Sequence, residues 1–270
     1  MDDPELLRLI DAYLDAVPRP ACRTEAIGPF TLFVNDAPGW RYYARPTPGA
    51  GPVTAEDVRR VRVRQRELGM PEATEWVRDL APGVGPAARG AGLEVEAYPL
   101  MHLPPRAFVT AGPVDAEVRA ITAADDLARV SAAQHIAFAN PGTAAGDVGV
   151  EEVDAVARGA DPAVTAFLAD RIERGLTIMA AAFVDGEPVA AGAHQPMDRA
   201  TEVVGVGCLP AFRRRGLAAA VTSLLVVDAA ANGVTSIILS ADDEAVARLY
   251  GRLGFVRVGT VGAAEPPPGA

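Results

Sequence analysis

The sequence predicts a mixed α/β protein. Along most of the 270 residues, segments with apolar residues at helical spacing alternate with short runs of β-branched and aromatic residues. Gly, Pro, Asn-Gly and Asp-Gly mark the boundaries between these segments. Half of the residues are hydrophobic and 22% are charged, which is enough for a sizeable core. The length fits one large domain or two modest ones.

The first part of the chain predicts two groups of elements. A helix in "DPELLRLIDAYLDAV" ends before Pro18, and short strands follow in "FTLFVND" and "WRYYARP". Thr54 and Asp57 have the spacing of a capping box, with Asp in place of Glu, and predict the start of the next helix. The strand "EATEWV", a helix in "LAPGVGPAARGAG" and the strand "LEVEAYPLMHL" complete this part. The stiff Pro-Pro-Arg run at 104–106 marks a domain boundary.

The second part alternates more regularly. The segment "EVRAITAADDLARVSAAQHIAFA" predicts a strand, a cap near Thr122 and a helix, and "DPAVTAFLADRIERG" predicts another helix. Strands "LTIMAAAFVDG" and "EPVAAGAHQPM" meet at an Asp-Gly turn, and "TEVVGVGCL" is a third strand. A helix over Leu217–Ala231 ends at Asn232 and Gly233. The strand "TSIILS", the helix "DEAVARLYGRL" and the strand "GFVRVGT" follow.

This pattern predicts two domains, at 1–104 and 105–262, with a disordered tail at 263–270. Both halves contain the order helix, strand, helix, Gly, strand, with Gly92 and Gly254 in matching places. We interpret this as a degenerate duplication, with coincidence as the alternative. The aromatic residues Trp40, Tyr42, Tyr43 and Trp76 are then the predicted core of the first half, although some could line a cleft.

Composition disfavours several functions. The net charge of −10 disfavours nucleic acid as a partner, because phosphate binding needs a basic field. No apolar run is long enough to span a bilayer, and the start lacks a signal-peptide pattern, so we expect a cytoplasmic protein without a membrane partner. Two cysteines and three histidines, none at ligand spacing, predict no metal site. All 25 basic residues are arginine.

The stretch "CLPAFRRRGLAAAV" predicts an anion site. A strand ends at Leu209, Pro210 breaks the ladder, and a short loop leads into the helix near Leu217. The first N–H groups of a helix lack internal partners, and the helix dipole adds positive charge there. Gly216 lets a ligand approach the backbone, and the arginines add fork-shaped donors for a phosphate or pyrophosphate. A solvated basic turn is the alternative. Neither a dinucleotide fingerprint nor a P-loop is present.

The sequence "RRRGLA" at 213–218 resembles the Arg/Gln-x-x-Gly-x-Gly/Ala loop of the GCN5-related N-acetyltransferases, the GNAT family. Downstream, "ARLYGRLGFVRVG" at 247–259 resembles the second motif of that family, and the likeness spans about 118–262. The resemblance implies the GNAT acyltransferase fold, in two tandem GNAT-like domains, and acetyl-CoA as the cofactor. It implies that the loop binds the pyrophosphate while the preceding strand, which splays from the next one, binds the pantetheine arm. Gly205 and Gly207 suit a β-bulge where the strands splay. The implied cofactor-binding residues are Val206, Gly207, Cys208, Leu209, Arg213, Arg214, Arg215, Gly216, Leu217 and Ala218.

The resemblance also suggests catalytic residues. Tyr250 is at the general-acid position of the family, and its alternative role is packing under the turn at 254–255. Glu202 resembles the general base of one branch in type and offset, and could instead be a surface residue. His194 could act as a base near neutral pH or be structural. Asp243 stands where many relatives have Asn facing the cofactor, so it could contact the cofactor or act only as an N-cap. Cys208 could be a nucleophile or a small residue on the cofactor strand.

In the first half, Ala88 occupies the place that matches Tyr250, and no Arg-x-x-Gly-x-Ala is present, so that half is predicted to be catalytically silent. We therefore expect an acetyl-CoA-dependent N-acetyltransferase that acetylates a primary amine by direct attack in a ternary complex. The acceptor is a small molecule or a peptide, and the protein is a monomer or a homodimer. The alternatives are a non-catalytic acyl-CoA-binding protein and a tandem acetyltransferase of the mycothiol-synthase type.

Overall fold

The computed structural model describes residues 3–35, 38–39 and 42–269. It divides into two compact units. The first consists of Met1–Leu100, Ser240–Asp242 and Arg257–Ala270, and the second of Met101–Leu239 and Asp243–Val256. The first unit is thus discontinuous in sequence, whereas the sequence predicted contiguous domains at 1–104 and 105–262.

The helices and strands follow in chain order: α1 Asp3–Ala16, β1 Arg23–Ile27, β2 Phe30–Val34, β3 Arg45–Pro46, α2 Ala55–Glu67, β4 Thr74–Val77, α3 Val84–Gly90, β5 Glu94–Leu103, β6 Glu117–Ile121, α4 Leu127–Ala139, α5 Val153–Arg158, α6 Pro162–Glu173, β7 Ile178–Val184, β8 Glu187–Met197, β9 Ala200–Cys208, α7 Leu217–Ala231, β10 Ser236–Ser240, α8 Glu244–Gly251 and β11 Val256–Glu265. Within the described residues, none of the helices has the length and apolarity that a bilayer crossing requires.

The first unit contains a small antiparallel sheet in the order β1-β2-β3 and a run of strands in the order β4-β11-β5. Strand β11 pairs antiparallel with β4, from Val261 opposite Val77 to Ala264 opposite Thr74. Trp76 is 1% exposed and centres a hydrophobic cluster to which β2, α2 and α3 contribute. Trp76 is therefore a core residue, as predicted, whereas Tyr42 and Tyr43 are only partly buried and Trp40 lies outside the described residues.

The second unit contains strands in the order β10-β9-β8-β7-β6. Strands β9 and β10 are parallel, and β6 to β9 pair antiparallel, so the sheet is mixed. Helices α4 and α7 lie on opposite faces of it. A Cβ added to Gly207 would meet Ala137 of α4, and one added to Gly192 would meet Val221 of α7. Ala191 pairs with Gly207, and Gly192 is the next residue along β8, so the two glycines face opposite ways.

Several local predictions are confirmed. Thr54 and Asp57 form both hydrogen bonds of the capping box at the start of α2. The β7–β8 hairpin turns at Asp185 and Gly186, both with positive φ, as its Asp-Gly pair predicted. Helix α7 has the predicted bounds and ends at Asn232.

Three local predictions need correction. Of the strand predicted in "WRYYARP", the described residues 42–46 form a strand only at Arg45–Pro46, and both of these residues pair with β2. Helix α5 was not predicted, because its six residues are too few to show a helical period. Strand β11 continues through Glu265, and Ala263 and Ala264, which belong to the tail predicted to be disordered, pair with β4.

Candidate functional site

The candidate site begins where β9 and β10 separate. Their parallel pairing covers only three positions, from Ala200 opposite Ser236 to Glu202 opposite Ile238. Strand β9 continues to Cys208 and stays paired with β8 to that point, where Cys208 lies opposite Ala190. The side of β9 that faces β10 therefore loses its strand partner after Glu202, which leaves backbone groups for another extended chain.

A β-bulge lies in the separated part of β9. Ala193 pairs with Val204, but Ala191 pairs with Gly207, so β9 has one more residue than β8 over this interval. Gly205 adopts a φ of +62°, which favours glycine. Its carbonyl oxygen accepts a hydrogen bond of 2.8 Å from Nε2 of Gln134 on α4. The predicted bulge is therefore present at Gly205, and a helix on one face of the sheet contacts it.

The loop after β9 leaves donors exposed at the start of α7. A 3₁₀ turn at Pro210–Phe212 leads into Arg213–Gly216, where Arg214 and Gly216 have φ of +65° and +80°. Gly216 is the N-cap of α7, and its carbonyl accepts from Ala220 at 3.0 Å. The N–H groups of the three residues before Ala220 therefore point out of the helix start.

The start of α7 differs from that of four other helices. Side chains of Thr54, Asp126, Asp161 and Asp243 accept hydrogen bonds at the starts of α2, α4, α6 and α8. Helix α7 has no side-chain cap and no acidic residue in its first turn. Its positive end is therefore open to an external anion.

The three arginines of the loop have different surroundings. The guanidinium of Arg213 donates to backbone carbonyl groups, including that of Cys208 at 3.1 Å. Arg215 lies over the ring of Phe212, 5.4 Å from its centroid, and reaches the carbonyl of Asp115 at 3.4 Å. Arg214 is exposed, and no hydrogen bond of its side chain to the described part of the chain is found. Arg214 is therefore the arginine best placed to meet a ligand.

Tyr250 lies in the last turn of α8 and is partly buried. Its ring meets that of Phe255 edge to face, with 5.9 Å between centroids. Burial raises the pKa of Tyr250 to about 12. The phenol is therefore protonated at neutral pH and can donate a proton or a hydrogen bond, while its ring also packs at the turn.

Residues 151–255 match the Acetyltransferase (GNAT) family model. The matched region includes the separated strands, the arginine loop and Tyr250. No curated protein matches the sequence.

Solved structures resemble nearly the whole chain. A GCN5-related N-acetyltransferase from Kribbella flavida is 24% identical, with a TM-score of 0.69, over 97% of this chain and 96% of that chain. One from Sphaerobacter thermophilus is 18% identical, with a TM-score of 0.58, over 100% and 94%. A tandem GNAT protein from the clavulanic acid biosynthesis pathway is 15% identical, with a TM-score of 0.56, over 98% and 94%. The protein thus has the GNAT fold that the sequence predicted, while a degenerate first half stays a prediction.

Within the region that matches the family model, the backbone N–H and carbonyl of Leu209 already form hydrogen bonds. Its N–H donates to Val189 at 2.9 Å, its carbonyl accepts from Phe212 at 2.9 Å, and its side chain is fully buried. The part of β9 available to a ligand is therefore narrower than predicted and ends at Cys208. Leu217 is also a core residue, at 2% exposure, so only its backbone can contribute to the site.

Glu202 and Asp243 are at the edges of the site. Glu202 is partly buried at the last position where β9 pairs with both β8 and β10. Since neighbouring residues of a strand face opposite ways, Glu202 points away from the face that holds Thr201 and α7. The carboxylate of Asp243 accepts from the N–H of Val246 at 2.7 Å. This is the N-cap geometry that was the simpler alternative for Asp243.

His194 lies under α7. Its two ring nitrogens are 2.9 Å from Oγ1 of Thr201 and 3.0 Å from a carboxylate oxygen of Asp228, and its side chain is 1% exposed. Burial lowers the pKa of His194, and the contact with Asp228 opposes that shift. With both nitrogens occupied and the ring covered, this geometry favours the structural alternative over a catalytic base.

Cys208 has the surroundings of an unreactive thiol. Burial raises its pKa to about 11, even though Arg213 and Arg215 favour the thiolate. The thiol lies 3.6 Å from the carbonyl oxygen of Leu209. A nucleophile needs a thiolate near neutral pH, so the geometry favours a small residue on the cofactor strand.

Sequence reasoning missed two contributors. Gln134 contacts the bulge from α4, and the segment before β6 lies beside both GNAT motifs. A Cβ on Gly216 would come 3.3 Å from Val114, and one on Gly254, where φ is +97°, would overlap the carbonyl oxygen of Ala107. No local pattern marks these contacts, because the partners are far apart in sequence.

Proposed function

We propose that the protein is an N-acetyltransferase that transfers an acetyl group from acetyl-CoA to a primary amine. The observation that carries the proposal is the separation of β9 from β10 after Glu202, next to a helix start without a side-chain cap. The match of residues 151–255 to the GNAT family supports it. The proposal includes acetyl-CoA as the acetyl donor, a small-molecule or peptide amine as the acceptor, and a location in the cytoplasm.

The chain offers two kinds of group to such a cofactor. Backbone groups of Val206 and Gly207 and the N–H of Cys208 lie on the part of β9 without a β10 partner and would bind the pantetheine arm, while the carbonyl of Cys208 accepts from Arg213. N–H groups from Arg214 to Ala218 would bind the pyrophosphate, with the side chain of Arg214 adding charge. Asp243 caps α8 and would affect the cofactor only through that helix.

Acetyl-CoA would supply the acetyl group as a thioester. In a ternary complex the neutral amine nitrogen of the acceptor would form a bond to the acetyl carbon, and the carbon–sulfur bond would break. The proton that the nitrogen then loses would restore the phenol of Tyr250 after its proton has passed to the thiolate. The protonated phenol of Tyr250 holds a proton at Oη for the leaving thiolate. A backbone N–H near Val206 would stabilise the developing oxyanion. Glu202, at the point where the strands separate, would take the proton from the ammonium form of the acceptor.

The test uses free thiol release. Wild-type protein, Tyr250→Phe and Glu202→Gln are incubated with acetyl-CoA and a panel of small amines and peptides. We expect turnover with at least one amine, a kcat lower by roughly 100-fold in Tyr250→Phe, and unchanged coenzyme A affinity by calorimetry. The phenyl ring retains the packing against Phe255, so folding is preserved.

The same site could serve a non-catalytic acyl-CoA-binding protein. Coenzyme A binding without turnover on the whole panel would support that function. Turnover that is equal in wild type and Tyr250→Phe would exclude Tyr250 as the acid while leaving the acetyltransferase in place.

A further inference from the structure

The first arginine of the loop is surrounded by backbone carbonyl groups. Nε of Arg213 donates to Cys208 at 3.1 Å, Nη1 to Ala144 at 3.1 Å, and Nη2 to Ala137 at 3.2 Å and also to Asn140. These acceptors belong to three places: the end of β9, the last turn of α4, and the segment after α4. One side chain thus joins the end of β9 to α4 and the segment after it, whose acceptors lie 69 to 76 positions from Arg213 in sequence.

The charge of Arg213 suits this place. The last carbonyl groups of a helix lack internal partners and carry the negative end of the helix dipole. Helix α4 has no basic residue in its own last turn. Arg213 supplies that cation from another part of the chain. A guanidinium has five N–H donors, and four hydrogen bonds leave too few for a bidentate contact with phosphate.

Two backbone hydrogen bonds extend the connection. The N–H of Gly146 donates to Pro210 at 3.2 Å, and the N–H of Ala211 donates to Val148 at 3.0 Å. A Cβ on Gly146 would lie 3.2 Å from that of Pro210, so the two segments are in close contact. We call residues 141–149 the post-α4 segment. It contacts the 3₁₀ turn that begins the arginine loop.

We propose that Arg213 is a positioning residue that couples the arginine loop to the end of α4 and to the post-α4 segment, and that it does not contact the cofactor. The identity of the ligand rests on the proposed function, whereas the coupling rests on the contacts of Arg213. A ligand that orders the loop then also orders the post-α4 segment, because both are bound to one guanidinium. The contact with a phosphate group belongs to Arg214.

Hydrogen exchange of the ligand-free protein tests the coupling. The variants are Arg213→Ala, Arg213→Lys and the control Arg214→Asn, since Asn tolerates the positive φ of that position. We expect the amides of Gly146 and Ala211 to exchange roughly tenfold faster in Arg213→Ala than in wild type. Arg214→Asn should leave these amides unchanged. Lysine keeps the charge but cannot reach acceptors in three segments, so Arg213→Lys should behave like Arg213→Ala.

Coenzyme A provides the second measurement. In wild type, saturating coenzyme A should slow exchange both in residues 213–218 and at Gly146. In Arg213→Ala, residues 213–218 should still be protected at saturation, and Gly146 should not. Calorimetry at several salt concentrations separates the arginines. Loss of Arg214 should weaken both the affinity and its salt dependence, while loss of Arg213 should weaken the affinity and leave the salt dependence as in wild type.

Three outcomes would overturn the proposal. They are wild-type exchange in Arg213→Ala, wild-type exchange in Arg213→Lys, and loss of salt dependence in Arg213→Ala. If Arg213→Ala does not fold, Arg213→Lys and the wild-type exchange with and without coenzyme A decide the question. If wild-type protein does not bind coenzyme A, the proposed function fails, and the exchange of the ligand-free variants still tests the role of Arg213.

Discussion

Tyr250 shows how the surroundings of one residue set its chemistry. A tyrosine ordinarily has a pKa near 10, and burial raises the pKa of Tyr250 to about 12. The phenol therefore stays protonated over the pH range in which amines are neutral. A general acid at this position would keep its proton at the alkaline pH at which the acceptor amine becomes neutral and reactive. A loss of activity between neutral pH and pH 10 should therefore have a cause other than deprotonation of Tyr250.

A spectroscopic titration tests this pKa. The protein has five tyrosines, so the tyrosinate absorbance of Tyr250→Phe is subtracted from that of wild type. We expect the difference to correspond to one tyrosinate that forms near pH 12. The tyrosine has a pKa near 10 in the unfolded chain and about 12 in the folded protein. Between these two pH values the unfolded chain has lost the phenol proton and the folded protein keeps it, so the contribution of Tyr250 to stability falls as pH rises. A difference spectrum that appears near pH 10 would show that the phenol is exposed.

His194 and Arg213 show that the contacts of a side chain cannot be predicted from its neighbours in sequence. The sequence offered His194 as a base, yet Asp228, 34 positions away, and Thr201 occupy both ring nitrogens. Arg213 was predicted from the motif to bind the cofactor, and the motif did not show that its guanidinium donates to carbonyl groups at least 69 positions away on the α4 side. The two motifs that resemble the GNAT family could be recognised because each consists of residues adjacent in sequence. Residues that meet only in the folded structure leave no such local sequence pattern.

At the scale of elements, α7 was the best predicted part of the site. Its apolar run, Gly216 and the Asn-Gly stop are all local, and its bounds agree with the structure. The separation of β9 from β10 was expected from the family resemblance alone, since strand composition does not fix where pairing ends. The bulge was easier to predict, because two glycines within a strand are unusual.

The two ends of α7 provide a matched pair of glycines. Gly216 and Gly233 have nearly equal φ, +80° and +81°, before and after the same helix. Alanine at either position is expected to cost about 1–2 kcal/mol of stability, because a Cβ is strained in the left-handed region. At Gly216 the added Cβ also comes 3.3 Å from Val114, whereas at Gly233 no atom lies within 4 Å, so the loss at Gly216 should be the larger of the two. Only Gly216→Ala should also lower coenzyme A affinity, by at least about tenfold, because relieving the contact of its Cβ with Val114 shifts the backbone that carries the first N–H groups of α7.

Thermal unfolding and calorimetry measure these two effects separately. A loss of affinity confined to Gly216→Ala, with both variants folded, would support binding by the backbone at the start of α7. Equal losses of affinity would show that the stability of the helix, and not access to its first N–H groups, controls binding.

At the scale of the whole molecule, the chain cannot be divided at one residue. The segment Arg257–Ala270 belongs to the same compact unit as Met1–Leu100, and β11 lies between β4 and β5 in the strand order. Sequence reasoning placed the boundary at the stiff Pro-Pro-Arg run, which is a sound local signal. The sequence could not show that the last strand belongs to the first unit, because the composition of a strand does not determine which strand it pairs with.

Truncation tests whether the first unit needs β11 to fold. Residues Val261 and Ala264 of β11 are each 1% exposed, and a Cβ on Gly262 would meet the ring of Trp76 at 2.6 Å. A chain of residues 1–259 loses this strand segment and should be less stable by at least about 2 kcal/mol, from lost apolar burial alone. A chain of residues 1–265 keeps the paired part and should match full-length protein.

The two truncations are compared by denaturant unfolding in a Trp40→Phe background, which leaves Trp76 as the only tryptophan. We expect the fluorescence of Trp76 to shift towards that of an exposed indole in residues 1–259 and to stay unchanged in residues 1–265. Because Trp76 centres the cluster formed with α2 and α3, the shift would report the whole first unit and not the strand end alone. If both truncations kept a buried Trp76 and wild-type stability, the first unit would fold without β11, and the predicted boundary at residue 104 would describe the folding units correctly.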